Sequence, residues 1–278
     1  MKFKSKASTL DKIKVTKTKI PKFFFFSIKN YKKNKKQYIY NISKKFKHLI
    51  AIRSSSLQED SRYSSMAGYF KSFLNIDSKN SLLVEKKINE VIESYSNSSS
   101  ENQILIQDMV KNVRMSGVAT TCDKDTLAPY YHINFSYNKN TSDVTSGKGG
   151  TKNFIYYKNS PIQPENKDLR KIINLLNELV IKLKEKFLDI EFIIDKKGKV
   201  FLVQVRPIVV NKKNINNNFD NLLLKLEKKI TKLQSPHHDL NGKTTAFGVM
   251  PDWNPAEMIG MKPKPLALSL YRELITDH

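Results

Sequence analysis

Two carboxylates, an amide and a guanidinium lie within one short stretch: Asp189, Glu191, Gln204 and Arg206, inside Leu188–Pro207. The stretch reads as two strands, about 188–194 and 199–206, joined by Asp195-Lys196-Lys197-Gly198. A four-residue turn ending in Gly fits a hairpin. Strand side chains alternate faces. Asp189, Glu191 and Ile193 therefore share one face of the first strand, with Leu188, Ile190, Phe192 and Ile194 on the other. On the second strand Val200, Leu202, Gln204 and Arg206 share a face, and Phe201, Val203 and Val205 the opposite one. A matching register gathers the four polar groups over an apolar face that must be buried. Carboxylate and amide oxygens suit Mg²⁺, and a neighbouring Arg can neutralise phosphate oxygens through bidentate bonds. That combination describes a metal–nucleotide site. It equally describes an amphipathic hairpin whose polar face meets water.

Arg53-Ser54-Ser55-Ser56 follows the apolar run His48–Ile52, and an Arg with hydroxyls at a strand end suits an anion; serines are also ordinary loop residues. In Thr145-Ser146-Gly147-Lys148-Gly149-Gly150 the glycines would let backbone amides approach phosphate, though the composition also serves a mobile surface loop. Gly242-Lys243-Thr244 resembles the end of a P-loop, but the earlier Gly would fall at His237 and no strand precedes it. His237-His238 has no second ligand pair at useful spacing, and no Ser-His-Asp arrangement can be argued from spacing.

The elements that must position these residues can be traced along the chain. Phe23–Phe26 reads as a buried strand, and residues 81–95 have helical spacing through Leu83, Val84, Ile88, Val91, Ile92 and Tyr95. Gln103–Val110 and Gly117–Thr121 read as strands, and residues 138–151 as a loop. Pro164 suits the first turn of a helix that is apolar at Leu169, Ile172, Ile173, Leu176, Leu179, Val180 and Leu183. Asn211–Asn218 is a low-complexity linker, followed by an amphipathic helix over about 219–233 and a Pro-rich tail. Strands interleaved with helices predict an α+β domain over residues 1–210, the linker 211–218, and the start of a further domain over 219–278.

With 278 residues, 39% of them apolar and 10% aromatic, the chain can bury a proper core and is not wholly disordered. Its formal charge of +23 comes from 49 basic against 26 acidic residues, and only six of the basic ones are Arg. Such a charge invites a nucleic-acid reading. The lysines, however, are scattered from Lys2 to Lys264, without an RNA-binding or zinc-finger signature, and a nucleic-acid partner is not expected. One cysteine, Cys122, excludes an internal disulfide and any Cys-based zinc cluster. It is compatible with a reducing cytoplasm, the setting expected here. No apolar run approaches the ~20 residues needed to span a bilayer.

Read together, these segments resemble the nucleotide-binding, ATP-grasp-type domain of the phosphoenolpyruvate synthase and pyruvate phosphate dikinase family. Ile50-Ala51-Ile52-Arg53-Ser54-Ser55-Ser56, Glu59-Asp60, Ala67-Gly68 and Phe73-Leu74-Asn75 look like the family's V-R-S-S-A…E-D…A-G…F-L-N-V block. Ile106-Gln107-Asp108-Met109-Val110 with Ser116-Gly117-Val118 is similar to V-Q-x-M-V…S-G-V. Asp189-Ile190-Glu191-Phe192 and Leu202-Val203-Gln204-Val205-Arg206-Pro207 look like D-I-E-W and L-L-Q-A-R-P. Ser5-Lys6-Ala7-Ser8-Thr9-Leu10 keeps the Lys and Leu of G-G-K-x-x-x-L without its glycines. The resemblance implies that Lys6, Arg53 and Arg206 bind the ATP phosphates and carry the catalytic charge. It places Gly68 and Ser72 in a loop over those phosphates, Gln107, Met109 and Val110 at the adenine, and Glu191 and Gln204 on Mg²⁺. ATP would phosphorylate a histidine on a separate swivelling domain, leaving AMP and phosphate after hydrolysis, and the phosphoryl group would pass to a small acceptor.

A narrower resemblance, to the branch that includes L-glutamine kinase of capsule phosphoramidate synthesis, rests on three blocks. They are Asp143-Val144-Thr145-Ser146-Gly147, the run Met250-Pro251-Asp252-Trp253-Asn254-Pro255-Ala256-Glu257-Met258-Ile259-Gly260, and Leu266-Ala267-Leu268-Ser269-Leu270-Tyr271-Arg272-Glu273-Leu274. The phosphohistidine signature T-S-H is not found around His48, His132, His237, His238 or His278. The expectation is a truncated relative, split-gene product or fragment that binds ATP without completing the reaction. A degenerate, non-catalytic ATP-binding module is the alternative, and a basic nucleic-acid binder a minor one.

Overall fold

The computed structural model describes residues 3, 5–56, 70–95, 99–137, 151–209, 219–236, 238, 241–243, 256 and 259–276. The chain divides into two compact units, residues 1–219 and 220–278. Gly68, the 145–150 loop, the 211–218 linker and most of the 250–260 block lie outside the described residues.

The first unit is α+β and holds two antiparallel sheets. Strands β1 (Phe23–Ser27), β2 (Leu49–Ser55), β3 (Ser72–Asp77) and β4 (Gln103–Asp108) form one in the order β1-β4-β2-β3. Strands β5 (Val113–Thr120), β6 (Tyr130–Ser136), β7 (Lys152–Tyr157), β8 (Leu188–Asp195) and β9 (Val200–Pro207) form the other, ordered β7-β6-β5-β8-β9. Three helices, α1 (Lys6–Lys12), α2 (Ile28–Lys33) and α3 (Lys35–Lys45), lie in the N-terminal part; α4 (Ser81–Glu93) and α5 (Lys167–Leu183) follow.

Period-two patterning divides the apolar side chains of the first sheet between two cores. On β1, Phe24 and Phe26 pack with Ile50, Ile52, Ile104 and Ile106, under residues of α2, α3 and α4. Phe23 and Phe25 point the other way and join Leu105 in the core of the second sheet. The four phenylalanines are thus an edge strand serving both cores; only Phe26 is fully buried, the others half so. The second core lies between one face of β5–β9 and α5, whose Leu169, Ile172, Ile173, Leu176, Leu179 and Leu183 repeat at helical spacing. The α5 helix begins at Lys167 rather than at Pro164. Asn166 caps it, its Oδ1 accepting from the amides of Asp168 (2.8 Å) and Leu169 (3.4 Å).

The β8–β9 hairpin closes through Gly198 at φ +75°, a left-handed turn position. Its register is Asp189↔Arg206 and Glu191↔Gln204, then shifts so that Phe192 pairs Leu202. The shift corrects the strict alternation expected for β9. A bulge at Val203 returns Val200 and Leu202 to the buried core face with Val205, and turns Val203 to the other side. Gln204 and Arg206 remain with Glu191 and Asp189.

Cys122, just beyond β5, is 1% exposed. Burial first, then the Asp123 charge, pushes its thiol up to about 12, against the pull of Lys124. A disulfide-exchange reagent near pH 8 should therefore release about one thiol equivalent only after denaturant is added. Prompt release from the folded chain would show that this turn opens readily.

The second unit contains α6, Phe219–Leu233, which spans the boundary, and α7, Pro265–Tyr271, continued by a π turn over Arg272–Thr276. The narrower-resemblance block at 266–274 falls on this last pair. Among the described residues, no helix is long and apolar enough to cross a membrane.

Candidate functional site

The two sheets turn their remaining faces toward a cleft of about 590 Å³. From the first sheet come Ala51 and Arg53 on β2, Ser72 and Leu74 on β3, and Gln107 on β4, followed by Asp108, Met109 and Val110. From the second come Ser116, Gly117 and Val118 on β5, Asp189–Ile193 on β8, and Val203, Gln204 and Arg206 on β9. Lys6 joins the lining from α1, which packs against both β4 and β9, and Pro21, Phe70 and Lys124 lie at it as well. Nine of the ten residues expected at a nucleotide site thus meet in one cleft; the tenth is Gly68.

Local chemistry explains how Lys6 is delivered there. Ser5 caps α1: its Oγ accepts from the Ser8 amide (3.3 Å) and donates to Gln103 Oε1 (2.6 Å). The Ala7 amide donates to Ser55 Oγ (3.0 Å), and the Ser55 amide to the Tyr95 hydroxyl (2.9 Å). Ser56 Oγ donates to Asn102 Oδ1 (2.9 Å). Ser54, Ser55 and Ser56 are buried and do not line the cleft. The serine run expected to suit an anion instead anchors α1 and the 99–103 turn. Ser72, expected in a loop, opens β3 and pairs with Arg53.

Two cation–carboxylate pairs dominate the electrostatics. Arg53 Nη1 donates to Glu191 Oε2 at 2.9 Å, across from the first sheet to the second. Arg206 Nη2 donates to Asp189 Oδ2 at 2.9 Å, and Lys124 Nζ lies 3.3 Å from the same oxygen. Burial pushes the Glu191 carboxyl up, but Arg53, together with Lys6 and Arg206, outweighs burial and holds it below the usual glutamate value. Glu191 is therefore a carboxylate at neutral pH. The Arg53 Nε is buried with no partner, so this guanidinium retains a donor for a further acceptor.

At the other end, Gln107 is 2% exposed and its Nε2 donates to the Val203 carbonyl (3.3 Å), tying the sheets together. The Met109 amide donates to the Leu49 carbonyl (3.0 Å). Burial raises the Asp108 carboxyl above its ordinary value against Lys22, His48 and Lys111.

Among the described residues, no three His, Cys, Asp or Glu side chains converge as a metal cage. Mg²⁺ needs none: it commonly takes one or two protein oxygens and completes its octahedron with water and substrate phosphates. Glu191 and Gln204 face each other directly across β8 and β9 and supply hard oxygen donors. That donor set fits a magnesium ion carried with a polyphosphate.

Sequence reasoning missed Lys124 and Ser116 as cleft residues; it grouped Asp189 with Glu191, Gln204 and Arg206 in the hairpin's polar constellation, but the family resemblance assigned Asp189 no part of its own. Asp189 was visible one pleat from Glu191. Lys124 carried no distinguishing signal among so many lysines, and Ser116 none beyond the S-G-V run.

Two antiparallel sheets gripping a cleft lined with cations and carboxylates define an ATP-grasp-type nucleotide-binding domain. The family of the pyruvate phosphate dikinase AMP/ATP-binding domain matches residues 15–165, more than half of the chain, and the chain belongs to it. Membership supports ATP binding. Among curated proteins, no match to the sequence is found. Solved structures similar to the chain include D-alanine–D-alanine ligase from Helicobacter pylori (14% identity, 76% of this chain and 52% of that one, TM-score 0.38). VanG D-Ala:D-Ser ligase from Enterococcus faecalis is similar at 11% identity, with 69% and 48% covered and a TM-score of 0.39. D-alanyl-alanine synthetase A from Vibrio cholerae is similar at 12%, with 81% and 62% covered and a TM-score of 0.43. The chain spans roughly half to three-fifths of the length of these three.

Proposed function

We propose that this chain is the ATP–Mg²⁺-binding portion of a dikinase-type phosphotransferase, working in the cytoplasm. The observation that carries the proposal is the gathering of Lys6, Arg53, Glu191, Gln204 and Arg206 around one cleft, with Gln107, Met109 and Val110 along its lining. Lys6, Arg53 and Arg206 bind the phosphates and offset charge that develops as a phosphoryl group leaves. Ser72, with Gly68, lies against those phosphates, and Gln107, Met109 and Val110 line the adenine. Glu191 and Gln204 hold Mg²⁺, which when bound draws off charge from the phosphate oxygens. The phosphoryl group passes by way of a histidine on a partner domain to a small acceptor, glutamine-like or pyruvate-like, leaving AMP and phosphate. The 266–274 block resembles the glutamine kinase branch and bears on the branch rather than on the acceptor, since acceptors diverge within a branch.

Calorimetric titration of the purified chain with ATP, with and without Mg²⁺, tests the reading. Saturable binding that strengthens with Mg²⁺ is expected. A folded chain that takes up no ATP under either condition would reduce the proposal to ancestry.

A further inference from the structure

We infer that Lys124 is a fourth phosphate ligand of the cleft, one that reaches the terminal phosphoryl group of a bound nucleoside triphosphate; this rests on the nucleotide reading above. Its place in the fold sets which end of a ligand it meets. The strand β8 runs from Asp189, beside Lys124, to Asp195, beyond which the Lys196 amide donates to the Asn112 carbonyl, two residues after Val110. The six residue-to-residue steps from Asp189 to Asp195 cover about 20 Å, comparable with a base, a ribose and three phosphates laid end to end. With the base near Met109 and Val110, the last phosphate arrives at Asp189, Arg206 and Lys124.

The cations there differ in depth. Arg53 and Arg206 have side chains 17% and 21% exposed, whereas that of Lys124 is 57% exposed at the mouth of the cleft. An ammonium on a flexible stem can leave one oxygen for another. The oxygen it now holds, Asp189 Oδ2, already accepts from Arg206, so Asp189 keeps a cation when Lys124 turns to phosphate.

The backbone carrying Lys124 is built. Asp123 Oδ1 accepts from the Asp125 amide (3.2 Å), the Thr126 amide (2.8 Å) and the Thr126 hydroxyl (2.7 Å). The Asp123 amide donates to the Ala128 carbonyl (3.1 Å) and the Leu127 amide to the Asp123 carbonyl (3.0 Å). Thr126's hydroxyl and amide hold the Asp123 carboxyl below its ordinary value against burial. The turn therefore presents Lys124 at a fixed root while its head stays free to move, which separates it from a lysine on an open surface.

Such a ligand distinguishes a triphosphate from a monophosphate. Titrations with ATP and with AMP, each with Mg²⁺, on the wild-type chain, Lys124→Ala and Lys124→Arg test this. Lys124→Ala should weaken ATP binding about ten-fold and leave AMP within about two-fold, since one charged hydrogen bond is lost to the former alone. Lys124→Arg should restore most of the ATP affinity. Unchanged ATP affinity in Lys124→Ala, or equal losses for ATP and AMP, would overturn the assignment of Lys124 and leave the nucleotide reading standing. A wild-type chain that binds neither nucleotide would overturn that reading and this inference with it.

Discussion

Replacing Glu191 by Gln is expected to weaken Mg²⁺–ATP binding on the order of 100-fold or more, about the loss that follows when a metal's carboxylate environment is disturbed. The glutamine keeps the shape of the side chain and an oxygen able to accept from Arg53. What it loses is the charge that Arg53, Lys6 and Arg206 maintain against burial. Glu191→Ala is the harsher change, because it also removes the acceptor of a guanidinium whose Nε already lacks a partner. The two variants therefore separate loss of ligand binding from loss of local structure. Arg206→Ala should behave differently: it removes a phosphate ligand, so ATP binding should weaken with and without Mg²⁺. Calorimetry with ATP in both conditions, beside thermal melts of each variant, reads the contrast. Near-wild-type Mg²⁺–ATP affinity in both Glu191→Gln and Arg206→Ala would sink the assignment of this cleft.

The hairpin bearing Glu191 and Arg206 was legible because its polar and apolar residues alternate over an unbroken apolar backing. The bulge inside it was not. Val200 to Val203 is a run of four apolar residues, and none marks where the extra residue sits. The fate of Ser54–Ser56 was also hidden, since their partners Ala7, Tyr95 and Asn102 lie some forty residues away and only the tertiary fold brings them close. Helix α5 could be seen from its apolar stripe. Its start could not, because Pro164 and Asn166 both suit a helix opening and only the cap bonds of Asn166 decide between them. Of the cleft's cations, the three carried by motif blocks could be named in advance. Lys124 sits on a turn whose definition depends on Asp123 and Thr126, and a lysine in this chain gives no such hint.

Gly117→Ala should produce the largest loss of stability. Gly117 lines the cleft within a Ser-Gly-Val run, and a glycine there invites the reading that it lets backbone approach phosphate. The structure gives another reason. Gly117 has no positive φ among the described glycines that do, so it is not held by backbone conformation. It lies on β5, between Phe135 of β6 and Phe192 of β8. An added Cβ would stand 2.3 Å from the Asn134 carbonyl oxygen, 2.7 Å from Phe192 Cζ and 3.0 Å from Phe135 Cα. Two of these atoms are backbone of the neighbouring strand, and the Phe192 ring is 1% exposed with no room to swing. Relief requires β5 and β6 to part, so the cost should reach about 3 kcal/mol, the upper range for an overpacked core. For a unit of this size that lowers the melting temperature by about 6–12 °C. Trimming the ring by Phe192→Leu in the Gly117→Ala background should recover only part of the loss, because the carbonyl clash remains. The strand that moves is hydrogen-bonded to β8, which carries Asp189 and Glu191, so ATP affinity should fall in Gly117→Ala even below its melting point. A variant that melts within about 1 °C of wild type would show that the sheet absorbs a methyl group here. The glycine would then owe its place to the cleft and its ligand.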